Sequence, residues 1–437
     1  MSEYAEIKID KFSLQWFRNY LNGEIVSLFF SKDDLETYEV CNEEETYTGY
    51  TYKTTVKKAK ERLDALGYSP EKFEKQFDEK IIEAIDCFDY LYQRGIDYDD
   101  EEEYIRKNLL KHLSFRKWKN SLHKLISYEL KNGNLMFQCR DEYRKRLSTV
   151  CDKILFYSID DDGSCDSLYG IDTEIIEPEY VYRMILDNCD DEAEIELDFT
   201  NIQWWNDDCI PKALEAAEQT EKIVVLVEGS SDKDILEFAL NRLYPHLSDM
   251  FYFMDFDDSN GGKRDGGTSF VIKNLKAFYF SHLKAKFIAI FDNDAEGYSS
   301  KCTLLNEIKH WPDNFRIMLY PELKQFKSYP TIIPNGSIMN DNINKKAASI
   351  ELYLPERIIK KDSSYLPIEW ESRKKIRGLD GKEELLYQGV ITEKDSIKAK
   401  FHELKRRIES GKEEFNPEEW AKLDELIKTI IFAFCLE

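Results

Sequence analysis

Two short carboxylate runs follow the two most apolar stretches of the chain. Ile223–Val227 leads into Glu228-Gly229-Ser230-Ser231-Asp232, and Phe287–Phe291 leads into Asp292-Asn293-Asp294-Ala295-Glu296-Gly297. Short apolar runs of this kind predict buried strands, and open α/β sheets place their chemistry at the carboxyl ends of such strands. An acid at a buried strand end costs stability unless something positive faces it. Glu228, Asp292 and Asp294 gathered in one crevice would repel one another, and a divalent cation is the simple remedy. Oxygen ligands without His or Cys beside them select Mg2+ or Mn2+ over zinc.

Other readings of these residues fail or stay weaker. Asp292 to Gly297 matches the first half of a calcium-binding EF-hand loop, but the twelfth position holds Thr303 instead of Glu, and an apolar strand stands where a helix is needed. A lone DxD also occurs in glycosyltransferases and by chance on acidic proteins. Gly261-Gly262-Lys263-Arg264 is no P-loop, so no ATPase is expected. Asp265-Gly266-Gly267-Thr268-Ser269 precedes a helical pattern. Gly266, Gly267 and Thr268 could cradle a phosphate on free N–H groups, or simply cap the helix.

The elements that must position these groups alternate from residue 212 onward, the mark of an α/β sheet. Strands are expected at Lys222–Val227, Met250–Met254, Lys286–Phe291 and Phe315–Tyr320, with helices at Lys212–Thr220, Asp232–Leu243, Thr268–His282 and Ser299–Lys309 between and around them. Ser396–Glu409 and Pro417–Leu436 read as helices. Upstream, Tyr4–Phe12 alternates like a half-buried strand and Thr54–Leu66 has helical spacing. Gly67 ends that helix, and Ser69-Pro70-Glu71 starts another. Val150–Tyr157 and Glu194–Phe199 read as strands, the latter acidic on one face and followed by Trp204-Trp205. Four segments follow: a mixed α+β region 1–150 that is mostly helical after 71, an acidic α+β linker subdomain 151–215, a mostly parallel α/β domain 216–360, and a helical extension 361–437.

Charge bounds the partners. The chain has 437 residues with 61 Lys and Arg against 85 Asp and Glu, a net charge of −24, so it cannot coat nucleic acid by bulk charge. The one cationic stretch is 104–148, with twelve cations against three anions directly after the acidic run 97–103. It either attracts phosphate or forms the wet face of amphipathic helices. By contrast, 187–208 holds nine acids and no Lys or Arg, which fits a solvated face better than a calcium site. Nine scattered Cys with no C-x-x-C argue against a disulfide framework or a zinc site. No signal-peptide core and no run near twenty apolar residues is present, so a soluble, cytoplasmic protein without membrane contact is expected.

Taken together, E-G-x-x-D after one strand and D-x-D-x-x-G after another, 64 residues on, resembles the Toprim domain over roughly 216–360. Toprim domains occur in primases, type IA and II topoisomerases, ribosomal-RNA maturases and the overcoming-lysogenization-defect (OLD) nucleases. The resemblance implies a Rossmann-like fold, with Glu228 as the invariant glutamate and Asp292 and Asp294 as the metal-binding pair. Asp232 matches the second acid of the OLD type. The opening MSEYAEIKIDKF, YTYKTTVKKAKERLDALGYS, KSYPTIIPNGS and SIELYLP resemble HEPN/Toprim-associated bacterial proteins, which are suspected of antiphage defence. By the same analogy Glu351 would complete a metal site and Lys394, in YQGVITEKDSIK, would be the catalytic lysine.

These implications amount to Mg2+- or Mn2+-dependent cleavage of DNA or RNA. A regulatory protein partner and a homo-oligomer are compatible with them. Two other readings stay open: a non-catalytic scaffold that binds nucleic acid or a partner, and a metal-free HEPN ribonuclease. For the latter, Arg106–His112 and Arg116–His123 fit the loose R-x4–6-H pattern, although Lys107 and Lys117 stand where a polar residue is usual.

Overall fold

The computed structural model describes residues 4–18, 21–41, 46–93, 110–132, 167–168, 171–172, 176–204, 210–211, 214–215, 222–254 and 266–435. The acidic run 97–103, Arg106, Lys107, the cations at 140–146, the expected strand 150–157, Trp205, and Gly261 to Asp265 lie outside them, as does most of the expected helix 212–220. The chain divides into two compact units, Met1–Thr220 with Cys435–Glu437, and Glu221–Phe434.

In the first unit, strands β1 (Tyr4–Ile9), β2 (Phe12–Arg18), β3 (Leu35–Cys41), β4 (Thr46–Thr55) and β5 (Glu194–Asp198) form one sheet in the order β2-β1-β5-β4-β3. Every neighbouring pair is antiparallel. The acidic-faced strand is thus the central one. Ile195 and Leu197 point into the core while Glu194, Glu196 and Asp198 alternate outward, so period-2 patterning sets its register. Among the described residues this unit has the helices α1 (Gly23–Phe29), α2 (Val56–Ala65), α3 (Pro70–Gln93), α4 (Phe115–Asn132) and α5 (Pro178–Leu186). The Thr55 hydroxyl caps α2 by accepting from Lys58 N, and Ser69 accepts from Lys72 N at the start of α3. Phe73, Phe77, Phe115, Trp118 and Tyr180 interlock in the core with ring centroids 5.1–5.6 Å apart along most pairs.

The second unit holds a parallel sheet of β6 (Ile223–Leu226), β7 (Phe251–Phe253), β8 (Phe287–Phe291) and β9 (Phe315–Leu319), ordered β9-β8-β6-β7. Helices α6 (Ser230–Leu243), α7 (Thr268–Phe280) and α8 (Ala295–Glu307) make the crossovers. All of β8 is buried, as its unbroken FIAIF sequence requires for a strand covered on both faces. The connection order reverses between β6 and β8, and that switch point is where open α/β sheets form their crevice.

A second sheet follows: β10 (Tyr329–Ile332), β11 (Ile338–Asp341), β12 (Ile368–Arg377) and β13 (Glu383–Ile391), in the order β11-β10-β12-β13. The segment from 361 is therefore helical only from α9 (Lys394–Glu409) onward, through a short 3-10 turn to α10 (Ala421–Ile431). The β12–β13 hairpin escapes a periodicity reading because β12 is mostly charged and exposed side chains fall on both faces of the hairpin. Trp420 is fully buried and packs its ring 5.3 Å from that of Phe238 on α6, which ties the last helix to the parallel sheet. No described helix is long and apolar enough to cross a membrane.

Candidate active site

Glu228 sits just past the end of β6 and Asp292 just past the end of β8, on adjacent strands at the switch point. The Glu228 carboxylate is held against the Asp292 backbone: Asp292 N donates to Glu228 Oε1 at 3.0 Å. Asp232 lies in the first turn of α6, buried, with the Tyr320 hydroxyl donating to its Oδ1 at 3.5 Å. Burial first, then Asp232 and Asp292, keep the Tyr320 phenol protonated far beyond its ordinary range, so it stays a donor.

The carboxylates feel one another. Burial and then Asp294 push Glu228 up to about 8, with Asp232 adding and Lys394 opposing. Burial and then Glu351 push Asp232 up to about 7. Asp292 is raised well above the usual carboxylate range by burial, then by Glu228, Asp232, Asp294 and Glu351. Its Oδ1 is buried and accepts no hydrogen bond. Unpaired buried acceptors of this kind are rare and call for an explanation.

Asp294 is held differently from Asp292. It caps α8, which starts four residues earlier than the pattern at Ser299 suggests, because Asp294 Oδ1 accepts from Gly297 N at 2.7 Å. Its Oδ2 accepts from Gln388 Nε2 at 2.7 Å, and Gln388 Oε1 in turn accepts from Glu296 N at 3.0 Å. Gln388, on β13, carries no signal in the sequence, since a lone Gln on a charged strand matches no spacing rule. Asn293 is wholly buried and braces the pair, donating to Asn344 Oδ1 and accepting from Lys345 N. Gly297 is required by contact: a Cβ there would stand 2.2 Å from the Asp292 carbonyl oxygen.

Glu351 and Lys394 also reach the site. Asn293-Asp294 pairs antiparallel with Ala347-Ala348, which delivers the following turn Ile350–Tyr353 and buries Glu351. Lys394 Nζ is 3.2 Å and Lys398 Nζ 3.7 Å from Glu351 Oε1, while Ser349 Oγ donates to Oε2 at 2.7 Å. Burial pulls the Lys394 ammonium down, but Glu351 and Asp292 outweigh it and hold it above its ordinary value. Lys394 starts α9 after Glu393, which takes a left-handed φ of 56°.

The loop Gly266–Thr268 lies beside the same strands. Gly267 N donates to the Glu228 carbonyl at 2.6 Å, so that amide stitches the loop to the end of β6. Gly267 has φ +87°, a conformation that favours glycine, and Thr268 Oγ1 donates to Glu296 Oε1. Among the described residues, no three His, Cys, Asp or Glu side chains gather closely enough to enclose an ion. Of the HEPN-type candidates in the first unit, Arg106 lies outside the described residues and His112 is exposed, as are Arg116 and His123. His123 Nδ1 is 2.6 Å from Asn188 Oδ1.

Residues 1–216 match the family model of the HEPN/Toprim N-terminal domain 1. The chain is a HEPN/Toprim-associated protein. That family is nuclease-related, which agrees with the resemblance read from the opening segments. No curated protein and no solved structure matches the chain.

Proposed function

We propose that this HEPN/Toprim-associated protein is a Toprim nuclease that cleaves phosphodiester bonds of DNA or RNA with Mg2+ or Mn2+, acting in antiphage defence. The observation that carries the reading is Asp292 Oδ1, buried without a donor beside Glu228 and Asp232, two acids that burial and mutual repulsion hold above their ordinary range. A hard cation satisfies that oxygen and removes the repulsion in one step.

The donor set fits such an ion. Both Asp294 oxygens accept hydrogen bonds and Glu351 faces two lysines, so the chain offers Glu228 and Asp292 as the direct ligands, and Asp232 stands behind them. Mg2+ suits this sparse arrangement, because it keeps several waters and binds through one or two carboxylates plus substrate phosphates. When bound, the ion would polarise the scissile phosphate and make an attacking water more acidic. Asp294 and Gln388 fix the start of α8 and so the direction in which Asp292 presents its free oxygen. Tyr320 orients Asp232. Lys394 holds a full positive charge against the acids and is placed to stabilise negative charge developing on the phosphate.

The test is cleavage of a panel of plasmid, linear duplex, single strands and total tRNA with Mg2+, Mn2+ or EDTA. Metal-dependent cutting by the wild type that is lost in Glu228→Gln and Asp292→Asn, and kept in Arg116→Ala, supports the proposal. EDTA-resistant RNA cutting lost in Arg116→Ala overturns it in favour of the metal-free ribonuclease, and metal-independent binding unchanged in Asp292→Asn favours the scaffold.

A further inference from the structure

Helix α4 presents an unusual surface for so acidic a chain. Its inner face is fixed: Trp118, Leu122 and Ile126 are buried, and Trp118 packs against Phe73 and Phe77 with centroids 5.5 and 5.6 Å apart. Its outer face exposes Arg116, Lys117, Lys119, Lys124 and Lys131. The helix contains a single acid, Glu129, and that residue is 2% exposed. Among the described residues, no carboxylate lies within ion-pair distance of any of the five cations. Elsewhere in the same unit several cations are matched, such as Lys53 with Glu194 and Glu196, Lys60 with Asp191, Lys80 with Glu83, and Arg183 with Asp64, and among the described residues the unmatched ones do not gather five to a helix face.

The clustering of five exposed cations on one helix face, with its single acid buried, points to what the face is for. In a chain of net charge −24, acids are plentiful, and an exposed lysine readily finds one at little cost. Five like charges on one rigid helix repel one another, which leaves the surface poised for an external polyanion. Spacing adds a constraint. Lys117, Lys124 and Lys131 recur every seven residues, about 10 Å apart along the axis and on nearly one side. That step is roughly three phosphates along one strand of a duplex. Lys117, Lys124 and Lys131 are lysines, which meet a phosphate backbone as point charges and carry no base readout.

We infer that the outer face of α4 is a sequence-independent docking surface for the phosphodiester backbone of a nucleic acid. It stands on the first unit alone and does not require the second to cleave.

The test is equilibrium binding of the full chain, in EDTA so that metal-dependent cutting is off, to labelled duplex DNA, duplex RNA and single-stranded RNA over 50–300 mM salt. The variants are Lys117→Gln/Lys124→Gln/Lys131→Gln and, as control, the ion-paired Lys80→Gln. Each lost phosphate contact lowers the slope of log K against log salt by about 0.7 to 0.9, so the triple variant should lose roughly 2 to 3 from the slope and about tenfold or more in affinity at low salt. The arm bound most tightly identifies the nucleic acid. An unchanged slope overturns the inference, as does an equal loss in Lys80→Gln. Lysine-dependent capture by phosphatidylserine vesicles without oligonucleotide binding would assign the face to a membrane surface instead. Circular dichroism of the triple variant matching wild type shows that a loss is not unfolding.

Discussion

Removing the Glu228 charge should stabilise the metal-free protein while abolishing its chemistry. Gln keeps the oxygen that accepts from Asp292 N at 3.0 Å and deletes only the negative charge. Glu228 rises from its ordinary 4.5 to about 8 on folding, so between those values the native state binds more protons than the unfolded chain. Stability is therefore unpenalised below pH 4.5 and falls as pH rises through the window to about 8. Converted directly, that shift is worth about 5 kcal/mol. The side chain is half-buried and its repulsion is shared with Asp232, Asp292 and Asp294, so solvent and coupling reduce this to about 2 kcal/mol. Spread over a unit of some two hundred residues, the gain is about 4–8 °C in melting temperature at pH 8.5 and close to zero at pH 4.5. The assay is urea unfolding in EDTA at both pH values, with hydrogen exchange of the strand Phe287–Phe291 reporting the second unit specifically. The facing groups that also titrate or carry charge, Asp232, Asp292 and Lys394, remain in both proteins. Saturating Mg2+ should then raise the wild type at pH 8.5 by a few kcal/mol and the variant by far less. A destabilised Glu228→Gln at pH 8.5, or a gain equal at both pH values, would refute the account of repelling acids.

Gly297→Ala should destabilise the second unit by roughly 2–4 kcal/mol, seen as a lower urea midpoint, because its Cβ would enter the Asp292 carbonyl at 2.2 Å and force α8 away from β8. Gln388→Ala should leave the fold intact but weaken Mg2+ binding about ten- to a hundredfold by isothermal titration, since it frees Asp294 Oδ2 and the Glu296 amide together. Lys394→Ala should lower the cleavage rate by about 10²–10³ with substrate affinity nearly unchanged, because Lys398, 3.7 Å from Glu351 Oε1, still neutralises the buried acid. Lys394→Arg restoring part of that rate would confirm charge as its contribution.

The fold was legible where periodicity had one interpretation. KIVVLV and KFIAIF have too few residues for buried helices and too many apolar ones for exposed strands, and they became β6, one residue shorter than expected at each end, and β8, one residue shorter at its start. Thr54–Leu66 and the Ser69-Pro70 start carried capping chemistry as well as spacing, so α2 and α3 followed. The β12–β13 hairpin shows the converse. Arg373, Lys374, Lys375, Glu383 and Glu384 give no apolar alternation to read, and its pairing is fixed by long-range contacts such as Gln388 with Asp294 and the ion pair of Lys374 with Glu296. The strand Glu194–Asp198 was readable as a strand, yet nothing local placed it at the centre of a sheet whose other members lie some 140 residues or more earlier.

The same division runs through the candidate site. Residues that would meet a cation or phosphate, Glu228, Asp232 and Asp292, stand at fixed offsets from strand ends, because the strand itself delivers them and the offset is a local property. The groups that hold them in place come from distant segments and are chosen by complementarity of shape and hydrogen bonding. Tyr320 follows β9, Asn344 braces Asn293 from 51 residues away, and Gln388 reaches Asp294 from 94 residues away. Any donor of the right length would serve at these positions, so no residue type announces the role. Asp294 illustrates the consequence. Its spacing marks it as a ligand equal to Asp292, whereas two donors occupy its oxygens and leave Asp292 Oδ1 as the unpartnered one. Deleting a donor to Asp294 is thus the perturbation that separates the two roles: if Asp294 binds the ion directly, Gln388→Ala strengthens Mg2+ binding, and if it only positions Asp292, the same change weakens it.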